Sequence, residues 1–226
     1  MESTYSKNNA HSEPVAYLCQ LSQNKLISSS YDEKINIWNI SAKTEIELIQ
    51  TLTKHKGPVD RVITLTGKRC ASCSLRDYNV KLWNNETYED IAVPFQQQEF
   101  PVSILQLKSQ KEVLVISNSS RFYPCLRFYQ SCQPYELLGI IKNACASCGQ
   151  GLIELQNGHV VASSCSPSYI FIVDPQKYEI ITKLYDDIYV HNAGPLCAIG
   201  KDSFLYATIA CEQLCEISLI MVIVFH

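Results

Sequence analysis

The chain has 226 residues, of which 46% are hydrophobic and only 18% are charged, and its formal net charge is −3. This composition is typical of a globular protein with a packed core, and it excludes a disordered segment dominated by like charges. Lys and Arg form no cluster, so nucleic acid and anionic membranes are not expected partners.

The ends of the chain and its cysteines indicate a compartment. Residues 1–10 are polar and lack the apolar run of a signal peptide. The longest apolar run, from Ile217 to Phe225, is much shorter than a spanning helix. The eleven cysteines are interpreted as reduced, buried side chains, so we expect a cytoplasmic protein, with a nuclear location as the alternative.

A pattern near the N-terminus is repeated about 44 residues further along the chain. The segment His11-x-x-Pro14-Val15 recurs as His55-x-x-Pro58-Val59. Four residue types recur in the same order: His11 and His55, Ser28 and Ser72, Asp32 and Asp77, and Trp38 and Trp83. A repeat of this length means that one supersecondary unit is copied and stacked, because a single unit cannot bury its own apolar face.

Short alternating apolar runs continue this period to the C-terminus. The runs are Ile35–Trp38, Val80–Trp83, Leu126–Tyr129, Ile170–Val173 and Leu214–Ile217. Alternation of this kind predicts strands with one buried face. Turn signals recur in phase with the runs, at Gln23-Asn24, Gly67-Lys68, Gln110-Lys111, Asn157-Gly158 and Lys201-Asp202. Asn157-Gly158 is the best candidate for a tight hairpin turn, in which both central residues need positive φ.

These features predict an all-β chain of about five repeats with four strands each. A polar N-terminal segment occupies residues 1–10, and an apolar tail occupies residues 218–226. The repeats between them are predicted at 11–54, 55–97, 98–138, 139–187 and 188–217, within a domain that spans 11–217.

The order His, Ser, Asp, Trp resembles the WD-repeat family of β-propellers, the type of the G-protein β-subunit. Residues 11–90 carry the resemblance, whereas 91–217 keep the spacing and have lost most signature residues. The resemblance implies that each repeat forms one four-stranded blade. It also implies two structural tetrads: His11, Ser28, Asp32 and Trp38, and then His55, Ser72, Asp77 and Trp83. The second copy has one extra residue, Leu75 or Arg76, before its aspartate.

The family resemblance also implies a partner-binding face built from the loops that join the strands. The positions just before the turn aspartate are Tyr31 and Arg76. The positions just after the Pro-Val pair are Ala16 and Asp60, with Ser103 as their counterpart in the third repeat. Tyr and Arg are residue types that anchor interfaces. The resemblance therefore implies a non-catalytic scaffold that binds protein or peptide ligands, with no cofactor and no small-molecule substrate.

Two catalytic interpretations compete with the scaffold. Ser, His and Asp invite comparison with a hydrolase, but a single active site has no reason to be duplicated, and no catalytic residue is assigned. Cys70-x-x-Cys73 and Cys145-x-x-Cys148 have zinc-like internal spacing, but the pairs are 75 residues apart, so no metal ligand is assigned. A metal-binding or enzymatic propeller stays as the alternative.

The number of repeats leaves the closure of the propeller open. Five repeats are fewer than the seven that are typical of the family. Either five blades close a ring by themselves, or the chain is part of a seven-bladed ring, as a fragment or a degenerate gene product without independent function. The second alternative is favoured, because residues 1–8, which could supply the missing outer strand of the last blade, are too polar for a convincing strand. The apolar tail at 218–226 would then be a strand without its cover.

Overall fold

A computed structural model describes residues 8–40, 46–91, 100–110, 112–118, 124–144, 151–165, 168–185, 193–199, 203–210 and 216–223. These parts of the chain form strands and turns, which confirms the all-β prediction. Among them there is no helix with the length and hydrophobicity needed to cross a membrane.

The first of two compact units, Met1–Phe100, contains two antiparallel sheets. The strands of the first sheet are β1 (Val15–Ser22), β2 (Lys25–Ser30), β3 (Ile35–Ile40) and β4 (Ile46–Leu52). Those of the second sheet are β5 (Arg61–Leu65), β6 (Arg69–Ser74), β7 (Asn79–Asn84) and β8 (Asp90–Ile91). Every strand pairs with its neighbour in the sequence, so each sheet is one meander.

The second unit, Pro101–His226, contains three further meanders. The third sheet has β9 (Pro101–Gln106), β10 (Val113–Asn118), β11 (Cys125–Gln130) and β12 (Leu137–Lys142). The fourth has β13 (Leu152–Glu154), β14 (Val160–Cys165), β15 (Ser168–Asp174) and β16 (Glu179–Tyr185). The fifth has β17 (Ala193–Ala198), β18 (Ser203–Ala210) and β19 (Glu216–Ile223). The five sheets follow the five predicted repeats in order and are consistent with blades of a propeller-type fold.

Two of the predicted repeat ends differ from the strands. The end at 138 falls inside β12, because the connection from 131 to 136 delays the fourth strand of this sheet. The end at 217 falls inside β19, which pairs with β18 along its whole length from Glu216 to Ile223. The apolar residues 218–223 therefore continue the third strand of the fifth sheet. Residues 224–226, like the predicted turn Lys201-Asp202, lie outside the described residues.

The turns between the first two strands of a sheet show which residues need positive φ. Gly67 and Lys68 have φ of 74° and 58°, as a tight two-residue turn requires. The tight two-residue turn predicted at Asn157-Gly158 is wrong, because only Gly158 has positive φ, at 89°. The Gly158 N–H donates to the Leu155 carbonyl oxygen (3.0 Å) and closes a longer turn.

One face of the first sheet packs against the second sheet. Ile27 and Ile35 are fully buried in a cluster that includes Val62 and Trp83. Each aliphatic side chain of this kind stabilises the fold by about 1.5–3 kcal/mol when it leaves water. Because Val62 is in register with Ser72, the covered face of the second sheet is the face that carries Ser72.

The corresponding face of the first sheet is more open. Leu18 is in register with Ser28, just as Val62 is with Ser72. However, Leu18 is 54% exposed and Val62 is 0% exposed. The same position of the repeat is therefore exposed in the first sheet and buried in the second.

Three tyrosines at corresponding turns adopt the left-handed conformation, and two of them, Tyr88 and Tyr178, contact an adjacent sheet. Tyr88, Tyr135 and Tyr178 each lie between the third and fourth strands of a sheet, with φ of 61°, 60° and 56°. The ring of Tyr178 lies 5.1 Å from that of Phe128, and a Cβ added to Gly139 would come within 2.5 Å of the Tyr178 ring. Backbone strain of about 1–3 kcal/mol at such a residue persists because the surrounding packing compensates for it.

The contact between Gly139 and Tyr178 gives a stability prediction. We expect Gly139→Ala to lower the free energy of unfolding by about 1–3 kcal/mol, because the new methyl group overpacks against the ring. In a Tyr178→Ala background the same change should cost much less. Urea unfolding of the two single variants and the double variant measures this coupling. Equal costs in both backgrounds would contradict it.

Candidate partner-binding site

The first repeat contains a buried hydrogen-bond network that links two loops to the sheet. His11 Nε2 lies 2.8 Å from Ser28 Oγ, and His11 Nδ1 lies 3.0 Å from an Asp32 carboxylate oxygen. The Trp38 indole N–H donates to the same Ser28 oxygen at 2.8 Å. With the proton of the neutral imidazole on Nδ1, the serine accepts from Trp38 and donates to His11, so every polar hydrogen is used once.

The second repeat builds the same network in spite of its extra residue. His55 lies 2.7 Å from both Ser72 Oγ and Asp77 Oδ2, and the Trp83 N–H donates to Ser72 at 2.8 Å. The insertion is absorbed between Ser74 and Asp77. The Asp77 N–H reaches the Ser74 hydroxyl at 3.4 Å, whereas the corresponding contact in the first repeat spans two residues at 3.1 Å.

Each aspartate of the networks also accepts hydrogen bonds from the backbone. Asp32 accepts from the N–H groups of Ser12 (3.1 Å) and Lys34 (3.0 Å). Asp77 accepts in the same way from Lys56 (3.1 Å) and Asn79 (3.0 Å). In both repeats the carboxylate therefore ties the loop before the first strand to the turn between the second and third strands.

These bonds determine the ionisation of the two aspartates. Burial by itself raises the pKa of Asp32, but the bonds from Ser12, His11 and Lys34 outweigh it, so the pKa is lowered from 3.8. For Asp77 burial acts in the same way, and the hydrogen bond and electrostatic attraction of His55, with the two backbone donors, lower its pKa. Both carboxylates are ionised at neutral pH.

The longer turn of the second repeat is held by two further contacts. The Leu75 N–H donates to Asp60 Oδ2 at 2.7 Å. At Gly57 an added Cβ would lie only 2.9 Å from the Arg76 Cβ, so the turn approaches this glycine too closely for a side chain. The first repeat, with its shorter turn, has Glu13 at the position of Gly57.

The predicted partner-contact residues differ in accessibility. Tyr31 is 50% exposed and Arg76 is also exposed, whereas Asp60 and Ala16 are half-buried. One carboxylate oxygen of Asp60 is bonded to Leu75, so this residue positions the turn that carries Arg76. Ser103 is fully buried in β9, so the surface position expected for this residue is not observed.

An aromatic pair beside these residues was not anticipated by the sequence analysis. Tyr78, with φ of 59°, follows Asp77, and its ring lies 4.8 Å from that of Phe100. Both rings are well exposed. Phe100 precedes Pro101-Val102 as Gly57 precedes Pro58-Val59, so this third copy of the Pro-Val pair is the signal that identifies the position. We call Tyr31, Lys56, Arg76, Tyr78 and Phe100 the loop face.

Backbone contacts make the second-repeat loops of this face continuous with the first repeat. The Val59 N–H donates to the Ser30 carbonyl oxygen (3.0 Å), directly beside Tyr31. The Asp60 N–H donates to the Cys73 carbonyl oxygen (3.0 Å), which precedes the turn that carries Arg76. The segment from Lys56 to Asp60 therefore lies between the two turns.

Four described residues that had suggested catalysis or metal binding are buried. Ser72 and His55 are buried, and both are engaged in the network described above. Cys70 and Cys73 are buried in β6, where burial raises the pKa of Cys70 to about 12 and also raises that of Cys73. No cluster of metal-ligating side chains occurs among the described residues, and Cys145 and Cys148 lie outside them.

A meander of four strands with a buried His–Ser–Trp–Asp network defines a repeat protein of the propeller-blade class. The comparison with protein families agrees with this class. Residues 46–84, which contain the second network, match the family model described as WD domain, G-beta repeat. This confirms the resemblance to the WD-repeat family that the residues of the first two repeats carry. No curated protein matches the chain significantly.

The shared serine gives a second stability prediction. We expect Ser72→Ala to lower the free energy of unfolding by about 2–4 kcal/mol, because it leaves the His55 and Trp83 nitrogens buried without a partner. Thermal and urea unfolding measure the loss. Ser22→Ala, on an exposed site of β1, is the matched control and should change stability by less than about 0.5 kcal/mol. Similar values for the two variants would contradict the network's role.

The lowered pKa values of Asp32 and Asp77 predict a dependence on pH. Their contribution is fully present above the unfolded-state pKa near 3.8, and it is lost as the pH falls through the lower folded-state values. Urea midpoints measured from neutral pH to about pH 2 should stay level above about pH 4 and fall below it. Asp77→Asn should be less stable at neutral pH and show a shallower decline.

The control for the acid dependence is Glu89→Gln, which removes an exposed carboxylate of the same repeat. Its curve should follow that of the wild type. Asp60 acts in the opposite direction, because burial raises its pKa, so protonation in acid relieves part of its desolvation cost. If Asp77→Asn kept the full acid dependence, the assignment to the networks would fail.

Proposed function

We propose that this protein is a non-catalytic interaction scaffold of the cytoplasm or nucleus that binds a protein or peptide partner through the loop face. WD repeats are typically interaction modules, and the match at 46–84 supports this general role. The single observation that carries the proposal is the exposure of Tyr31, Arg76 and Tyr78 directly beside two fully bonded networks.

The physical argument is one of preorganisation. An interface gains affinity when its side chains are held in the binding geometry before the partner arrives. Tyr31 and Arg76 immediately precede the network aspartates, so the hydrogen bonds of Asp32 and Asp77 hold the backbone on which they lie. Tyr and Arg are also the residue types in which interface energy is concentrated.

The free thiols support the proposed compartment. Cys70 and Cys73 are reduced and fully buried, and they pack as small apolar side chains. This arrangement suits a reducing compartment, where such thiols persist.

The test begins with a peptide-display selection on the purified chain, followed by calorimetric Kd measurements for the selected peptides. We expect Tyr31→Ser and Arg76→Ala each to weaken binding by about tenfold or more, as loss of an anchor does. Leu138→Ser, on the exposed side of β12, is the control and should leave Kd unchanged. Selected peptides that bind all three variants like the wild type would overturn the proposal.

A further inference from the structure

The loops that carry the loop face, and the exposed residues beside it, differ in charge between the two repeats. The first repeat exposes Glu13 and Glu33 beside Lys34. At the corresponding positions the second repeat has Gly57, Tyr78 and Asn79, and it exposes Lys56 and Arg76. Positive charge on this face is therefore concentrated on the second repeat, in a chain whose net charge is −3.

The acidic groups beside Arg76 point into the protein. Asp77 accepts from His55 and from the Lys56 and Asn79 N–H groups. Asp60 accepts from the Leu75 N–H and is half-buried. These carboxylates are engaged with the fold, and the ion pairs observed in the described part of the chain involve neither Arg76 nor Lys56.

An apolar surface adjoins the two cations. The rings of Tyr78 and Phe100 pack against each other and are 47% and 38% exposed. Arg76 and Tyr78 lie two residues apart on the same turn, and both are exposed. Exposed aromatic side chains beside an arginine are typical of the centre of a protein interface.

We propose that the loop face binds an acidic peptide segment, with Asp or Glu carboxylates on Arg76 and Lys56 and an apolar side chain on the Tyr78–Phe100 pair. This inference rests on the proposed function and specifies its partner. Arg76 presents a planar fork that matches a carboxylate in two hydrogen bonds, whereas Lys56 adds a point charge. The exposed Glu13 and Glu33 of the first repeat repel the acidic end and so direct it to the second repeat.

The test uses three fluorescein-labelled peptides that share the same apolar residues and carry Glu, Gln or Lys at all other positions. Fluorescence polarisation with the full chain gives their Kd values at low and high salt. We expect the Glu peptide to bind at least about tenfold more tightly than the Gln peptide, and added salt to weaken it, because exposed ion pairs are screened. The Lys peptide should not bind.

Charge variants test whether the Glu peptide binds at the loop face. Arg76→Glu should abolish binding of the Glu peptide, and Arg76→Lys should retain part of it. Lys142→Glu makes an equivalent charge change at an exposed position of β12 and should leave the affinity within about twofold. Near-ultraviolet circular dichroism of Trp38 and Trp83 checks that the variants keep the native fold.

The outcomes separate this inference from the proposed function. If the Gln peptide binds as tightly as the Glu peptide and Tyr78→Ser weakens both, the face binds peptides but the acidic preference is overturned. If the Glu peptide binds Arg76→Glu as tightly as the wild type, the loop face is not its site and both proposals fail there. If none of the three peptides binds, the acidic partner is overturned, and the display-selected peptides alone decide the proposed function.

Discussion

The serine hydroxyl shared by an imidazole and an indole is the contact on which each of the first two repeats depends. The Ser72 hydroxyl accepts a hydrogen bond from the Trp83 N–H and is also hydrogen-bonded to His55 Nε2, and His55 Nδ1 is hydrogen-bonded to Asp77. Each group is buried, so the loss of any one leaves another without a partner at a cost of about 1–3 kcal/mol. This chain of bonds runs from the third strand of the sheet to the loops at its end.

The networks connect the core to the surface that we propose as functional. Each network ends where Asp32 or Asp77 accepts hydrogen bonds from backbone N–H groups of the loops. These bonds hold the loop backbone in place, while the side chains beside the aspartates stay exposed. In the second repeat the turn has one extra residue and exposes Arg76. This turn comes close to Gly57, and its Leu75 N–H donates to the Asp60 carboxylate. The same buried interaction thus supports two turns of different length with different exposed side chains.

The sequence analysis succeeds where side chains of one repeat interact with each other. It fails where a segment from another part of the same chain determines burial or contact. The His, Ser, Asp and Trp residues recur in the sequence, and the family resemblance implied that they form a network, which the structure contains in both repeats. The burial of Ser103 depends on how its sheet is covered, and the contact of Tyr78 with Phe100 depends on a loop from the next repeat. A Tyr-Glu pair also recurs in the sequence, beginning at Tyr88, Tyr135 and Tyr178. This repeat could have predicted the tyrosine turns, but apolar periodicity alone did not reveal it.

The later repeats show how a sheet of this type persists without the network. By strand register, Ile116 and Tyr129 replace the serine and tryptophan in the third sheet, and Ala162 and Val173 replace them in the fourth. All four are buried. Replacing both partners of a hydrogen bond by apolar groups, as in the fourth sheet, is nearly neutral, whereas replacing only one is costly. The third and fourth sheets therefore keep the blade architecture through apolar packing, while the first two retain the networks that order the loop face.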